Sequence, residues 1–62
     1  MTTRKKFEKM WEKVKEDYKH IKLNNSAVLY ANGYEGYSTG VYLLYDGCTV
    51  GVLDYDVIEE VK

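Results

Sequence analysis

The chain contains no proline, one cysteine and one histidine. A single cysteine excludes an internal disulfide, and one cysteine with one histidine cannot supply the four ligands of a structural zinc site. The absence of proline and of low-complexity segments argues against a disordered linker. No apolar run approaches the ~20 residues that a membrane span needs, and the charged first residues do not resemble a signal peptide. The lone Cys48 is typical of a reducing compartment, so we expect a cytoplasmic protein.

The length of 62 residues allows one domain at most, residues 1–62. A domain of this size buries only ~60% of the surface that its unfolded chain exposes. Small domains usually gain stability from disulfides, a metal or association with another chain. Because the first two are excluded, we expect a bound protein partner or a homodimer, and no cofactor.

The charges are unevenly distributed along the chain. Residues 1–23 carry eight basic and four acidic side chains, a net charge of +4, whereas residues 24–62 carry one lysine and six carboxylates, a net charge of −5. Such asymmetry bears on partners rather than on the fold. We therefore expect two faces of opposite electrostatic sign.

An amphipathic helix is predicted over about 3–22, with Thr2 or Thr3 as its N-cap. Its apolar residues recur at helical spacing and occupy one narrow arc: Phe7, Met10, Trp11, Val14, Tyr18 and Ile21. The outer arc carries Lys6, Lys9, Lys13 and His20, with Glu16 among them. We interpret this stripe as a solvated face, since acidic residues interrupt it and the only arginine, Arg4, lies near the terminus. Nucleic-acid binding is the alternative.

A β-hairpin is predicted from strands over about 37–45 and 48–55, joined by Asp46-Gly47. Asp-Gly suits a two-residue type I′ loop, in which both residues have positive φ. An unbroken register gives a core face with Tyr45 opposite Cys48, Leu43 opposite Val50 and Val41 opposite Val52. The other face pairs Leu44 with Thr49, Tyr42 with Gly51, and Gly40 with Leu53.

A first strand is predicted over about 26–32, between a turn at Leu23–Ser26 and a second turn at residues 32–36. Its inward face is either Ala27, Leu29 and Ala31 or Val28 and Tyr30. Residues 56–61 are either a helical turn capped by Asp56 or a short strand. The predicted fold is α+β: one N-terminal amphipathic helix packed on a three-stranded antiparallel meander, in the order α-β-β-β.

Catalysis is not expected. Cys48 and His20 are the only candidates for a nucleophile and base, but the predicted register buries Cys48 and the predicted helix exposes His20. The pairs Asp54/Asp56 and Glu59/Glu60 invite a metal site, yet no histidine is close to them in the sequence, and a solvated edge is favoured. We therefore predict no catalytic and no metal-binding residues.

The seven tyrosines are the strongest surface signal. Tyrosine is frequent at interfaces because it combines a large rigid apolar body with a polar tip, although its β-propensity alone is an alternative explanation. Several tyrosines lie among the carboxylates of the acidic half. The predicted partner-binding residues are Glu35, Tyr37, Tyr42, Asp46, Asp54, Tyr55, Asp56, Glu59 and Glu60. Pairing of Tyr42, Leu44, Leu53 and Tyr55 about a two-fold axis is the homodimer alternative.

The small size, the opening MTTRKKFEKMWEKVKEDY and the acidic run LDYDVIEEV after a compact hairpin resemble the small inhibitors that phages encode against host defence. The resemblance is to the anti-CRISPR proteins of type II-A systems. It implies a non-enzymatic inhibitor that binds a CRISPR effector nuclease and blocks its recognition of DNA next to the target. Acidic side chains would then occupy a basic surface that normally holds nucleic acid.

Overall fold

The computed structural model describes residues 2–62. Within them the chain forms one helix, six strands and a single 3₁₀ turn. The bounds are α1 Arg4–Lys13, β1 Lys19–Leu23, β2 Val28–Ala31, β3 Gly33–Gly36, β4 Gly40–Tyr45, β5 Cys48–Asp54, the 3₁₀ turn Tyr55–Val57 and β6 Ile58–Val61. The predicted α+β class is confirmed.

The strands form two antiparallel three-stranded sheets instead of the predicted single meander. The first sheet has the order β2-β1-β6 and the second has the order β3-β4-β5. Strands β1 and β3 were not predicted, and β6 was one of the two alternatives for residues 56–61. Strand β1 comes from the second half of the predicted helix, and it pairs with β6, so that Ile21 lies opposite Val61.

Helix α1 begins as predicted but ends early. The Thr3 hydroxyl accepts a hydrogen bond of 3.2 Å from the Lys6 amide, which confirms a threonine cap. The helix ends at Lys13, because Val14 already has extended backbone angles (φ −87°, ψ 116°). The predicted extent of 3–22 is therefore wrong.

In the segment after the helix, buried and more exposed residues alternate with the period of two that is typical of a strand. The helix prediction did not take this alternation into account. Lys19, Ile21 and Leu23 alternate with more exposed residues and point into the protein. Ile21 satisfies both the helical and the alternating pattern, and pairing with strands on both sides decides for the strand. His20 consequently lies on the exposed face of β1, with its ring 4.6 Å from that of Tyr30, and not on the helix.

The β4–β5 hairpin has the predicted loop but only part of the predicted register. Asp46 (φ 51°) and Gly47 (φ 86°) both have positive φ, and Tyr45 lies opposite Cys48 and Leu44 opposite Thr49. A bulge then shifts the pairing, which places Leu43 opposite Gly51, Tyr42 opposite Val52, Val41 opposite Leu53 and Gly40 opposite Asp54. The predicted pairs beyond the bulge are wrong, because one extra residue exchanges the two faces of a strand.

The bulge changes which side chains of β5 are buried. Val50 and Val52, predicted in the core, are exposed, whereas Leu53 is half-buried. Cys48, also predicted in the core, is exposed. Contrary to the prediction, Gly51 is not the cross-strand partner of Tyr42; it lies opposite Leu43. A Cβ at Gly51 would lie 3.0 Å from Cδ1 of Leu29, so this glycine allows β2 to approach β5 closely.

The remaining segments follow the prediction in part. Leu23–Ser26 is a turn, with Ser26 at φ 72°, but it joins β1 to β2 instead of ending a helix. Of the two faces left open for the first strand, the structure has Ala31 and Leu29 inward. Residues 33–36, predicted as a turn, form β3. The C-terminal segment is a 3₁₀ turn followed by a strand, and the turn is capped by Asp54, so the predicted Asp56 cap is wrong.

The core lies between the helix and the two sheets. Its largest fully buried side chains are Phe7, Ile21, Leu43, Ile58 and Val41. Phe7 meets three other aromatic rings: Trp11, Tyr34 and Tyr55, at centroid distances of 5.9, 5.0 and 5.8 Å. This cluster joins the helix to β3 and to the turn before β6, and it thereby sets the position of the second sheet.

Candidate protein-docking surface

The outer face of the second sheet carries a row of three side chains in register. Glu35 on β3 lies opposite Tyr42 on β4, and Tyr42 lies opposite Val52 on β5. Opposed residues in a sheet share one face, so the three side chains are neighbours. Tyr42 is 39% exposed and Val52 is 62% exposed. This row therefore places an aromatic and an apolar side chain in solvent beside a carboxylate.

A second tyrosine adjoins this row from the β3–β4 turn. The Tyr37 amide donates a hydrogen bond of 2.8 Å to the Gly40 carbonyl, which closes a tight turn through Ser38 and Thr39. The ring of Tyr37 lies 5.1 Å from the ring of Tyr42, with the two planes at 58°. Tyr37 is 46% exposed. Two tyrosine rings thus meet at the surface instead of in the core.

The two rings border an open groove of about 280 Å³, the tyrosine groove. Its lining residues are Tyr37, Thr39, Gly40, Val41, Tyr42, Val52, Leu53 and Asp54. Asp54 caps the following 3₁₀ turn without a side-chain hydrogen bond to it. Within residues 2–62 no basic side chain lies within ion-pair distance of the Asp54 carboxylate. That carboxylate is therefore available to a ligand in the groove.

A second groove, of about 400 Å³, adjoins the first and shares Thr39 and Asp54 with it. This terminal groove is lined by Thr2, Thr3, Arg4, Ser38, Thr39, Asp54, Tyr55 and Asp56. Asp56 contributes a second carboxylate, while Arg4 contributes a cation that also lies 3.7 Å from Glu8. The terminal groove is thus mixed in charge, and the tyrosine groove has only negative charge in its lining.

The environment of Tyr37 favours its neutral form. Partial loss of hydration, followed by the negative charge of Glu35 and the neighbouring Tyr42, raises the pKa of the Tyr37 phenol. At neutral pH the hydroxyl is protonated, as in an ordinary tyrosine, and can donate a hydrogen bond. The Glu35 carboxylate makes this face attractive to a cation.

The structure brings four of the nine predicted binding residues together. Tyr37, Tyr42 and Asp54 line the tyrosine groove, Glu35 lies beside Tyr42 on the same face, and Asp56 lies on the adjoining terminal groove. Val52 belongs to the same surface but was not predicted, because the unbroken register placed it in the core. An exposed Val52 follows only from the bulge.

Tyr55 is not a surface residue. It is 4% exposed and packs on Phe7, which corrects its predicted place in the binding surface. Its hydroxyl donates a hydrogen bond of 2.9 Å to the Tyr37 carbonyl, and its amide donates one of 3.3 Å to the Thr39 carbonyl. Tyr55 therefore holds the turn that presents Tyr37.

Asp46 lies at the opposite end of β4 and has internal partners. Its carboxylate accepts hydrogen bonds of 2.8 Å from the Tyr18 hydroxyl and 2.8 Å from the Asn32 side-chain amide. Its own amide donates to the Asn32 side-chain oxygen at 2.9 Å. This network connects the hairpin loop to the bend between β2 and β3, so Asp46 has a structural role in the fold. Hydrogen bonding to Asp46, and its negative charge, raise the pKa of Tyr18.

Glu59 and Glu60 lie on β6, in the first sheet, away from the tyrosine groove. Glu59 lies 3.4 Å from the Lys22 ammonium, and Glu60 lies 3.4 Å from that of Lys62. The first of these pairs joins the basic and acidic halves of the sequence. The predicted acidic surface is therefore divided, with these two glutamates on another part of the molecule.

The face predicted for a homodimer is also not continuous. Tyr42 is on the outer surface of the second sheet, whereas Leu53 lies opposite the buried Val41 and Tyr55 is in the core. The predicted lysine stripe is shortened to Lys6, Lys9 and Lys13, because Glu16 and His20 lie beyond the helix. All three lysines are exposed, and no carboxylate of the described residues forms an ion pair with them.

In residues 2–62 no three histidine, cysteine, aspartate or glutamate side chains converge as metal ligands would. No helix of this part of the chain is long and apolar enough to cross a membrane. Comparison of the chain with protein-family models, curated proteins and solved structures finds no match.

Proposed function

We propose that the chain is a non-enzymatic interaction protein that docks the tyrosine groove and its carboxylates on a basic surface of another protein. The observation that carries the proposal is the contact between Tyr37 and Tyr42, 5.1 Å apart, on an exposed sheet face between Glu35 and Asp54. Exposed tyrosines in contact with one another are typical of protein-binding surfaces.

The energetics of association favour this surface. Tyrosine buries a large apolar area at a low cost in side-chain entropy, and its hydroxyl keeps a hydrogen bond when it is desolvated. Carboxylates at the rim accelerate encounter with a basic partner and disfavour acidic ones. A sheet also presents these groups on a rigid backbone, so little ordering is needed on binding.

The docking area must extend beyond the tyrosine groove. A typical interface buries about 800 Å² on each partner, roughly a fifth of the 4216 Å² that the chain exposes. The terminal groove continues the same surface through Thr39 and Asp54, and it adds Asp56. We place the centre of the interface on the two tyrosines and its rim on the carboxylates.

The proposed partner is a CRISPR effector nuclease, and the proposed role is that of a phage-encoded inhibitor. The resemblance to type II-A anti-CRISPR proteins supports this choice, together with the carboxylates of Asp54 and Asp56 on adjoining grooves. A nuclease holds DNA through basic side chains, and an acidic protein competes for the same groups. Inhibition would then need binding only, with no catalytic residue.

The test is a competition assay with a purified type II-A effector nuclease and its guide RNA. Wild-type protein should reduce target-DNA binding in proportion to its concentration. A variant with Tyr42→Ser and Asp54→Asn should be at least about tenfold weaker, since it loses a central aromatic contact and a charge. The matched control is Glu59→Gln with Glu60→Gln, which removes two charges from the other sheet and should compete like wild type.

Two results would contradict the proposal at different points. No effect of wild-type protein on several such nucleases would remove the nuclease as partner. Equal competition by the groove variant and the wild type would remove the tyrosine groove as the docking surface. Circular dichroism of each variant shows whether the fold is retained.

A nucleic-acid-binding module is the second candidate, because Lys6, Lys9 and Lys13 are exposed on one helix and form no ion pair with any carboxylate of residues 2–62. Such binding should weaken steeply with salt, by about one unit of log–log slope for each phosphate contacted. Replacing the three lysines with glutamine should abolish a mobility shift at low salt, and the groove variant should not. Absence of any shift at tens of micromolar protein would refute this candidate.

A further inference from the structure

The geometry points to an arginine-binding subsite in the tyrosine groove: we propose that Tyr37, Tyr42 and Asp54 hold the guanidinium group of an arginine supplied by the protein partner. This inference rests on the proposed docking function and names the group that the groove takes.

The aromatic part of the subsite suits a planar cation. The Tyr37 and Tyr42 rings are 5.1 Å apart and inclined at 58°, and both are partly exposed. Each therefore has ring surface that no other side chain covers completely. A guanidinium is weakly hydrated and stacks on aromatic faces, and a cation is attracted by the negative charge of the ring face.

The charged part of the subsite is the Asp54 carboxylate. It lines the same groove as both tyrosines, and it has no hydrogen bond to its own turn and no ion pair within the described residues. A carboxylate with both oxygens free accepts two parallel N–H bonds from arginine. The lysine ammonium is a strongly hydrated point charge without this fork geometry. The pair of rings and the carboxylate together therefore favour arginine over lysine.

The size of the groove and its lining suit a single side chain. Its volume of about 280 Å³ is below the range typical of sites for drug-sized ligands, about 300–1,000 Å³. Gly40 lines it beside Asp54 and contributes only backbone. Among residues 2–62 no lysine or arginine lines it, so no cation of the described residues competes for the carboxylate. Glu35, opposite Tyr42, adds a second negative charge to the same face.

The inference is tested by titrating the isotope-labelled chain with three peptides and recording amide chemical shifts. The peptides are Gly-Ser-Arg-Ser-Gly and its analogues with lysine or with citrulline, the neutral counterpart of arginine. The arginine peptide should shift the amides of residues 37–42 and 52–54. Its dissociation constant should be at least about fivefold lower than that of the citrulline peptide, with lysine between them.

Two variants assign the preference to the named groups. Asp54→Asn and Tyr42→Leu should each bring the arginine and citrulline peptides to similar affinity. Glu60→Gln, which lies on the other sheet, should leave the preference unchanged. The amide spectrum of each variant shows that it is folded.

Three results would overturn the subsite. They are equal binding of the arginine and citrulline peptides, equal binding of the arginine and lysine peptides, and shifts confined to residues outside the groove. If these occur while competition for the nuclease still depends on Tyr42 and Asp54, the docking surface stands and the arginine assignment alone fails. The two proposals are therefore tested separately.

Discussion

The hydroxyl of the buried Tyr55 donates a hydrogen bond of 2.9 Å to the backbone carbonyl of the exposed Tyr37. One tyrosine of the core thereby positions another at the surface. The bond crosses from the aromatic cluster around Phe7 to the turn that borders the tyrosine groove. Fold stability and the geometry of the docking surface are therefore coupled in this protein.

Tyr55→Phe should lower the free energy of unfolding by about 1 kcal/mol, the typical net contribution of a hydrogen bond in a protein. The ring remains in the core, so the loss reports the hydroxyl alone. Urea unfolding measures the change. Tyr30→Phe is the matched control, because Tyr30 is largely exposed and we expect it to unfold like wild type. Equal stability of all three proteins would contradict a structural role for the Tyr55–Tyr37 bond.

Gly40→Ala should destabilise the fold by about 1–3 kcal/mol, in the range of other overpacked sites. A Cβ at this position would lie 2.5 Å from the backbone carbonyl oxygen of Leu53, and a strand backbone cannot easily move away. The control is Gly33→Ala, where the nearest side-chain atom would be 3.7 Å from the new Cβ. Thermal unfolding should separate the two variants clearly. A Gly40→Ala protein as stable as Gly33→Ala would mean that β4 and β5 are not so close.

Gly47→Ala should cost about 1 kcal/mol, because Gly47 has φ +86° and an L side chain is strained there. Apart from Gly47 and its two chain neighbours, no heavy atom of residues 2–62 lies within 4 Å of the position of a Cβ, so the cost comes from the backbone and not from a clash. Gly47→Asn should be less destabilising, since asparagine tolerates this region better than alanine. Denaturant midpoints of the two variants provide the measurement. The reverse order would contradict a left-handed loop at Asp46-Gly47.

Phe7→Ala should remove about a third or more of the free energy of unfolding. Truncation of a buried phenylalanine costs about 3–5 kcal/mol, whereas a domain of this length has a total stability of about 3–9 kcal/mol. Phe7 is fully buried and contacts Trp11, Tyr34 and Tyr55. Lys9→Ala on the exposed side of the same helix should remain folded. Urea unfolding followed by circular dichroism measures the stability of both variants. A Phe7→Ala protein as stable as wild type would contradict the central position of Phe7 in the core.

Alkaline pH should destabilise the protein through its tyrosines. Burial, and the negative charges of Glu8 and Glu12, raise the pKa of Tyr34. A phenol whose pKa is higher in the folded state contributes stability below its unfolded pKa, and this is lost as pH rises through the folded pKa. We therefore expect stability to fall from about pH 10 upward.

Unfolding experiments at a series of pH values measure that decline. Tyr34→Phe should show a shallower loss of stability than wild type over the same range, because one of the titrating phenols is absent. Tyrosinate absorbance during the titration provides an independent readout. An unchanged slope in Tyr34→Phe would contradict the raised pKa.

Several local features of this protein are determined by the sequence alone. The threonine cap, the Asp46-Gly47 loop and the apolar arc of the first helical turns depend on backbone preferences and side-chain spacing within a few residues. Such short-range interactions are the same in any tertiary context, and the structure confirms them. Tyr37, Tyr42 and Asp54 were predicted as binding residues from their residue types and charge, and only the tertiary structure brings them to one groove.

Tertiary pairing decided the rest. Ile21 fits a helix and a strand equally well by spacing, and only hydrogen bonding with β2 and β6 on its two sides makes it part of β1. The bulge in β5 places Val52 on the surface and Leu53 against the core, the opposite of the prediction. One extra residue moves every later side chain of the strand to the other face of the sheet. The burial of Tyr55 and the position of Glu59 on the other sheet follow from that long-range packing, to which the order of residues along the chain gives no local signal.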